Sequence, residues 1–443
     1  MKTYHKTSDK ILVITLGCSK NTVDSERLMR QLSAHSLKIE YDKEKSDAQT
    51  VIINTCGFIN DAKQQSIEII LNYVNAKRKG IITNLYVIGC LSQRYSKVLE
   101  KEIPEVDHYF GVNSIKDIIK CLGYNYKEEL IGERLLSTPN HYAYLKISEG
   151  CNRKCSFCAI PLIKGKYKSE PKKNLVKEAQ FLAKNGVKEL ILIAQDLSFY
   201  GKDIYGNSQL SQLIRQLSDI QEIEWIRLHY AYPAGFPKAL AKVIKNNHKI
   251  CKYLDIPFQH ISDRMLKLMR RGFNKEKTLK LIGFLRDEIP NLALRTTLLV
   301  GYPGETEKDF NELVEFVKAI RFDRLGIFTY SHEEDTWVYK NQKDNVPAKV
   351  KQERADYIMK IQQSVSCALN YTKIGNIYRV LIDRIENRYF IGRTEFDSPD
   401  IDNEVLIPKN TANMKVGNYY NIKITSAADF DLIGEPSYEQ TEL

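Results

Sequence analysis

The stretch SEGCNRKCSFC, residues 148–158, places Cys151, Cys155 and Cys158 in a C-x3-C-x2-C spacing with no fourth cysteine close by. A structural zinc takes four tetrahedral ligands, commonly as two close pairs, and neither a second pair nor a suitably spaced histidine follows. A redox C-x-x-C pair would use Cys155 and Cys158 but leave Cys151 idle. A cubane 4Fe-4S cluster asks one external ligand of each iron, so three cysteines leave one iron open to a small molecule. The stretch also follows the apolar run AYLKIS and opens a series of similar runs: ELILIAQ, EWIRLHY, KYLDIP, LRTTLLV and RLGIFTY. Helical stretches separate them, which predicts six parallel strands with helical crossovers, an incomplete α/β barrel. Functional groups of such a barrel gather at the carboxyl ends of the strands, where Cys151 falls.

The same pattern stands N-terminal to this region. ILVITLG leads to Cys18, TVIINT to Cys56 and LYVIG to Cys90, each followed by a stretch with helical spacing. In a parallel sheet those three cysteines meet at one edge, a second three-thiolate site. After the barrel comes a helical segment over residues 345–372. Short alternating runs, IYRVLIDR, RYFIGRTE, EVLIP and YYNIKITSA, then predict a small all-β barrel of the OB type. The expected fold class is therefore α/β, with a parallel N-terminal domain over 1–125, a barrel over 135–370 and an all-β module over 371–443.

Composition sets the class. In 443 residues, 43% are hydrophobic and 27% charged, close to the globular average. There is no run of eighteen apolar residues, and MKTYHKTSDK lacks the apolar core and cleavage site of a signal peptide, so no membrane role and a cytoplasmic location are expected. Thiols stay reduced there, and nine cysteines read as ligands or buried small residues. Cys121, Cys251 and Cys367 match no ligand pattern and are assigned to packing. The net charge of +11 is unevenly spread: residues 371–443 hold twelve acidic and eight basic side chains, and the rest of the chain carries +15.

These motifs resemble those of the radical S-adenosylmethionine (SAM) methylthiotransferases over nearly the whole chain, the last part resembling a TRAM module. The resemblance implies that Cys151, Cys155 and Cys158 hold a 4Fe-4S cluster whose open iron binds SAM and cleaves it to a radical. It implies that Cys18, Cys56 and Cys90 hold an auxiliary 4Fe-4S cluster that carries sulfur. LGCSKNTVDSE, NTCGFINDAKQQSI, GCLSQRY and HYAYLKISEGC look like the branch that methylthiolates the β-carbon of an aspartate in ribosomal protein S-twelve. Implied partners are that protein or the small ribosomal subunit, a sulfur donor, and an electron donor of flavodoxin or ferredoxin type. Direct nucleic-acid binding is not required.

Further positions carry over as cofactor contacts: Phe157 in the cluster loop, Gln195 and Asp196 after the second barrel strand, Gln259, Arg295, and Gly301 and Gly304 in LLVGYPGETEKDF. No side-chain acid or base is expected, because hydrogen-atom abstraction needs none. Where the family shows an arginine-rich segment, this chain reads IKGKYKSEP, and Lys164, Lys166 and Lys168 are expected in a solvated basic loop. The acidic EFDSPDIDNE, residues 395–404, is expected to dock a basic substrate protein. Two other readings stay open: a tRNA adenosine methylthiotransferase, and a non-catalytic iron-sulfur protein that binds the ribosome.

Overall fold

The structure, a computed structural model, describes residues 10–411 and 413–437; most of MKTYHKTSDK lies outside them. Within the described residues, no helix is long and apolar enough to cross a membrane.

The N-terminal sheet is parallel throughout, in the order Lys38–Tyr41, Lys10–Thr15, Thr50–Thr55, Asn84–Gly89, His108–Tyr109. Its central strand, TVIINT, is buried at every position, as a strand covered on both faces must be. Helices Ser19–Ser33, Asn60–Arg78 and Cys90–Glu102 follow the three strands predicted from the sequence. The two edge strands, Lys38–Tyr41 and His108–Tyr109, have four and two residues and no apolar run to mark them.

The six predicted barrel strands form one parallel sheet in chain order: Tyr142–Lys146, Glu189–Ile193, Trp225–Leu228, Ile250–Asp255, Ala293–Val300 and Arg324–Thr329. The first and last do not pair among the described residues, so the barrel is open on one side. Helix Ala348–Tyr371 packs against its last strand and leads into the C-terminal module. That module is a closed five-stranded barrel, whose fifth strand, Leu432–Pro436, carries too little apolar alternation to be read in advance.

The C-terminal barrel sits under the amino ends of the central strands and closes their floor. Leu381, Phe396 and Tyr419 pack against Trp225, Cys251, Tyr253 and Ala293. Four arginines within this seam are paired. Arg227 bonds Glu189 at 2.7 Å, and Arg393 reaches the same carboxylate at 2.6 Å. Arg324 Nε bonds Asp397 at 2.9 Å, and Arg295 lies 3.4 Å from Asp402. The acidic segment is thus not a free docking surface. Asp397 and Asp402 are buried ion-pair partners, Glu395 accepts the Lys252 backbone N–H, and Glu404 pairs with Arg384. The cause is compensation: arginines inside an open barrel need carboxylates, and this segment supplies them.

Candidate functional site

The loop that holds Cys151, Cys155 and Cys158 is fastened on all sides. A short antiparallel pair, Ser148–Glu149 with Lys168–Ser169, returns the chain beside it. Gly150 has φ of +76°, and a Cβ there would lie 2.3 Å from the Lys166 carbonyl oxygen. Only glycine allows that approach. The Cys151 N–H bonds the Gly165 carbonyl at 3.1 Å, and the Ser156 N–H bonds that of Met269. The Ser156 hydroxyl meets the Tyr302 hydroxyl at 2.8 Å. Phe157 packs into an apolar cluster with Met265, Met269, Leu299 and Tyr302.

Donors converge on the sulfurs. The Arg153 N–H approaches Cys151 Sγ at 3.4 Å, and the buried Arg271 guanidinium reaches Cys155 Sγ at 3.2 Å. Arg271 also lies over the Tyr232 ring, whose hydroxyl is 3.8 Å from the same sulfur. Burial pushes the Cys151 thiol up to about 11 and that of Cys158 up to about 12. These groups therefore stay protonated at neutral pH until a metal displaces the proton. Arg271 had no signal in the sequence, since it lies 116 residues beyond its sulfur partner.

Gln195 and Asp196 follow the strand Glu189–Ile193 at its carboxyl end, beside this loop. Gln195 Nε2 donates to Glu149 at 3.0 Å, and Arg153 Nε bonds Asp196 at 2.8 Å. The Gln195 Oε1 and Asp196 Oδ1 atoms are buried without a hydrogen-bond partner. Unfilled polar atoms of this kind suit a polar ligand seated against the loop. The remaining sequence candidates divide. Gln259, at φ +73°, joins the edge of the neighbouring strand through bonds to Thr297 and Leu299. Arg295 is held between Asp255 at 3.3 Å and Asp402 at 3.4 Å, which commits its guanidinium to ion pairs within the chain. Gly301 is demanded by packing, because a Cβ would strike Lys351 at 2.2 Å. Gly304 has open space around it, and its N–H bonds Asn345. Thr306 and Asp309 form a capping box at the start of the helix Glu307–Ile320.

Cys18, Cys56 and Cys90 come together at the carboxyl edge of the N-terminal sheet through the glycines beside them. A Cβ on Gly17 would stand 2.8 Å from the Cys56 Cβ, and one on Gly57 would stand 2.7 Å from the Leu91 backbone and 2.9 Å from the Cys90 carbonyl carbon. The loops touch backbone to side chain only because those Cβ atoms are missing. Asn21 ties the same loops by donating to the Leu16 and Thr55 carbonyls. Burial raises the Cys56 thiol, and pushes that of Cys90 up to about 12. Among the described residues no three ligating groups converge as on a single ion. Ligands of a cluster stand on separate irons and need not.

The N-terminal domain lies across the mouth of the central barrel. Arg94 and Lys63 bond Glu333 at 2.8 and 3.0 Å, and Arg27 bonds Glu178 at 2.8 Å. Lys164 belongs to this seam. Its side chain is 3% exposed and lies near Glu149 and Asp24 at 3.5 and 3.8 Å, so the expectation of a solvated loop fails for it. Lys166 and Lys168 are exposed as expected. The carboxylates Asp24 and Glu149 draw Lys164 in, a pairing across 140 and 15 residues that no local pattern displays. The three remaining cysteines are unremarkable in placement: Cys251 is buried under the barrel floor, Cys121 packs beside the N-terminal core and Cys367 is half-buried.

Comparison with known proteins matches this layout in three parts. Residues 145–317 match the Radical SAM superfamily, 10–111 match Uncharacterized protein family UPF0004, and 374–436 match the TRAM domain. Among solved structures, the radical SAM methyltransferase TsrM from Kitasatospora setae superposes with a TM-score of 0.54 at 14% identity, over 72% of this chain and 73% of its own. At that identity the likeness concerns the fold. Among curated proteins, "Ribosomal protein uS12 methylthiotransferase RimO" of Christiangramia forsetii is 56% identical over 100% of this chain and 97% of its own length. Its counterparts in Cytophaga hutchinsonii and Flavobacterium johnsoniae are 53% and 54% identical, over 98% and 99% of this chain and 99% and 100% of theirs. With identity of this order along the full length, the chain belongs to the RimO family of ribosomal protein uS12 methylthiotransferases.

Proposed function

We propose that the protein transfers a methylthio group to the β-carbon of an aspartate in ribosomal protein uS12, in the cytoplasm. The observation that carries this reading is the meeting of two cysteine trios, from two domains, across one seam: Cys151, Cys155 and Cys158 at the barrel mouth, and Cys18, Cys56 and Cys90 on the sheet edge that covers it. Cys90 packs directly against Ala159 and Ile163, next to the cluster loop. The first trio would hold the 4Fe-4S cluster that binds SAM, and the second an auxiliary one. When bound, these groups supply radical generation and sulfur.

The chain's own residues do the positioning. Arg271 and the Arg153 N–H steady the sulfurs of the loop. Gln195 and Asp196 offer unfilled polar atoms to the methionyl part of SAM, and Phe157 backs the loop with apolar surface. An electron donor of flavodoxin or ferredoxin type and a separate sulfur donor complete the cycle.

Anaerobically reconstituted protein, offered uS12 and tRNA side by side with SAM and a reductant, tests the reading by mass. Methylthiolated uS12 with unmodified tRNA is the expected result. Modified tRNA alone would assign the protein to adenosine methylthiolation, and no SAM cleavage at all would leave a non-catalytic iron-sulfur protein.

A further inference from the structure

Lys20 stands in the first turn of the helix Ser19–Ser33, two residues beyond Cys18, and is only 9% exposed. Among the described residues its ammonium has no hydrogen bond and no ion pair, and it lies 4.0 Å from the centroid of the Tyr230 ring. Tyr230 belongs to the other domain, just past the carboxyl end of Trp225–Leu228, and adopts φ of +66°. The lysine therefore spans from the N-terminal trio to the barrel mouth.

The carboxylates around it are already used. Asp24 and Glu149 hold Lys146 and Lys164, Glu149 also accepts from Gln195, and Asp255 pairs with Arg295. A side chain this enclosed leaves its ammonium only partly hydrated and without a carboxylate, and an aromatic face repays only part of that cost. An anionic ligand arriving at this spot would recover the remainder.

We propose that Lys20 binds the side-chain carboxylate of the target aspartate and so sets both its position and the choice of an acidic side chain. The inference rests on the aspartate methylthiotransferase reading given above. The reacting carbon must lie between the radical source and the sulfur source, which is where Lys20 reaches. The aspartate β-carbon is bonded directly to the carboxylate carbon, so fixing the oxygens fixes the carbon that loses hydrogen and gains sulfur. Lys146 and Lys164, though near, are committed to carboxylates of the chain itself.

The test compares affinities of the reconstituted enzyme for uS12 and for uS12 with its target aspartate changed to asparagine. A charge-assisted bond in a buried site discriminates between the two on the order of tenfold to a hundredfold. The parent should show that preference, Lys20→Met should bring the ratio close to one, and Lys20→Arg should retain part of it. Iron content and thermal unfolding of each variant establish that both trios remain loaded and the chain folded. Equal affinity of the parent for the two proteins overturns the proposal, and that arm needs no change in the enzyme. A ratio in Lys20→Met equal to that of the parent also overturns it, including the case in which Lys20 holds the carboxylate of SAM and only SAM affinity falls. Failure of the parent to modify uS12 would instead remove the underlying reading, and the mass assay separates that outcome from the others.

Discussion

At the scale of single residues, the sulfurs of the cluster loop are distinguished by what donates to them. Arg271 is buried and reaches Cys155 Sγ at 3.2 Å, bringing a positive charge beside one proposed iron ligand. Hydrogen bonds and positive charge at a cluster sulfur favour the reduced form, so Arg271→Gln should lower the midpoint potential of the barrel cluster. The expected displacement is roughly 60 mV, the one-electron equivalent of a tenfold change in equilibrium, read by potentiometric titration of the cluster's spectroscopic signal. An unchanged potential would mean that the arginine only packs against Tyr232. The cysteines themselves stand out in the sequence, because three thiols within eight residues leave a local pattern. Arg271 was not, because its contact depends on the packing of the segment after the helix Asp263–Leu268 against the loop. The same distinction separates Cys18 from Lys20: the first is marked by its place after a strand, the second only by what surrounds it in space. Changing Cys151, Cys155 or Cys158 to Ala should abolish formation of 5'-deoxyadenosine, since each removes one of the three proposed protein ligands; formation at the parent rate would end the assignment.

At the scale of elements, the strands and crossover helices were legible because their apolar runs are long and repeated. Short elements were not: Ser148–Glu149 and Lys168–Ser169 have two residues each, yet they aim the cluster loop. Glu149, on the first of them, joins this hairpin to the seam by accepting from Lys146 at 2.8 Å and from Gln195 at 3.0 Å. Burial works against its charge, but Lys146 and Lys164 prevail and hold its carboxyl at about 2, below the ordinary 4.5. A depressed carboxyl contributes stability above its ordinary value and loses it as pH falls through the folded value. The metal-free chain should therefore lose about 3 kcal/mol between pH of about 4.5 and about 2 from this group. Denaturant melts across that range check it, and Glu149→Gln should flatten the acid limb while lowering neutral-pH stability by a similar amount. A limb of unchanged slope in the variant would show that the hairpin is held by other groups. On the facing element, Ala at Cys18, Cys56 and Cys90 together should remove about half the iron, that of the proposed auxiliary four-iron cluster, and stop methylthio transfer while SAM cleavage continues. Parallel loss of both activities in a folded variant would contradict two separate stations.

At the scale of the whole molecule, charge asymmetry was legible in the sequence but its use was not. The excess of acid in residues 371–443 faces inward in part, toward Arg295 and Arg324 at the floor of the central barrel. Composition counts charges without regard to which side of a domain they occupy, so a seam and a docking face read alike. The segment 395–404 offers an internal comparison. Asp397 is 1% exposed, its carboxyl opposed by burial but held ionised by Arg324, and it also accepts from Thr394. Asp400, three residues on, is exposed and has no ion pair among the described residues. The same change of carboxylate to amide should therefore have unequal effects. Asp397→Asn leaves Arg324 buried without its counter-charge and should cost about 3–5 kcal/mol, detaching the C-terminal barrel before the rest unfolds. Hydrogen exchange in Leu381–Arg393 and Val405–Pro408 would rise first, together with protease cleavage near Tyr371. Asp400→Asn should change stability by no more than about 0.5 kcal/mol. If the two variants melted alike, the acidic segment would be a surface feature after all, and docking of a basic ribosomal protein would again be its best explanation.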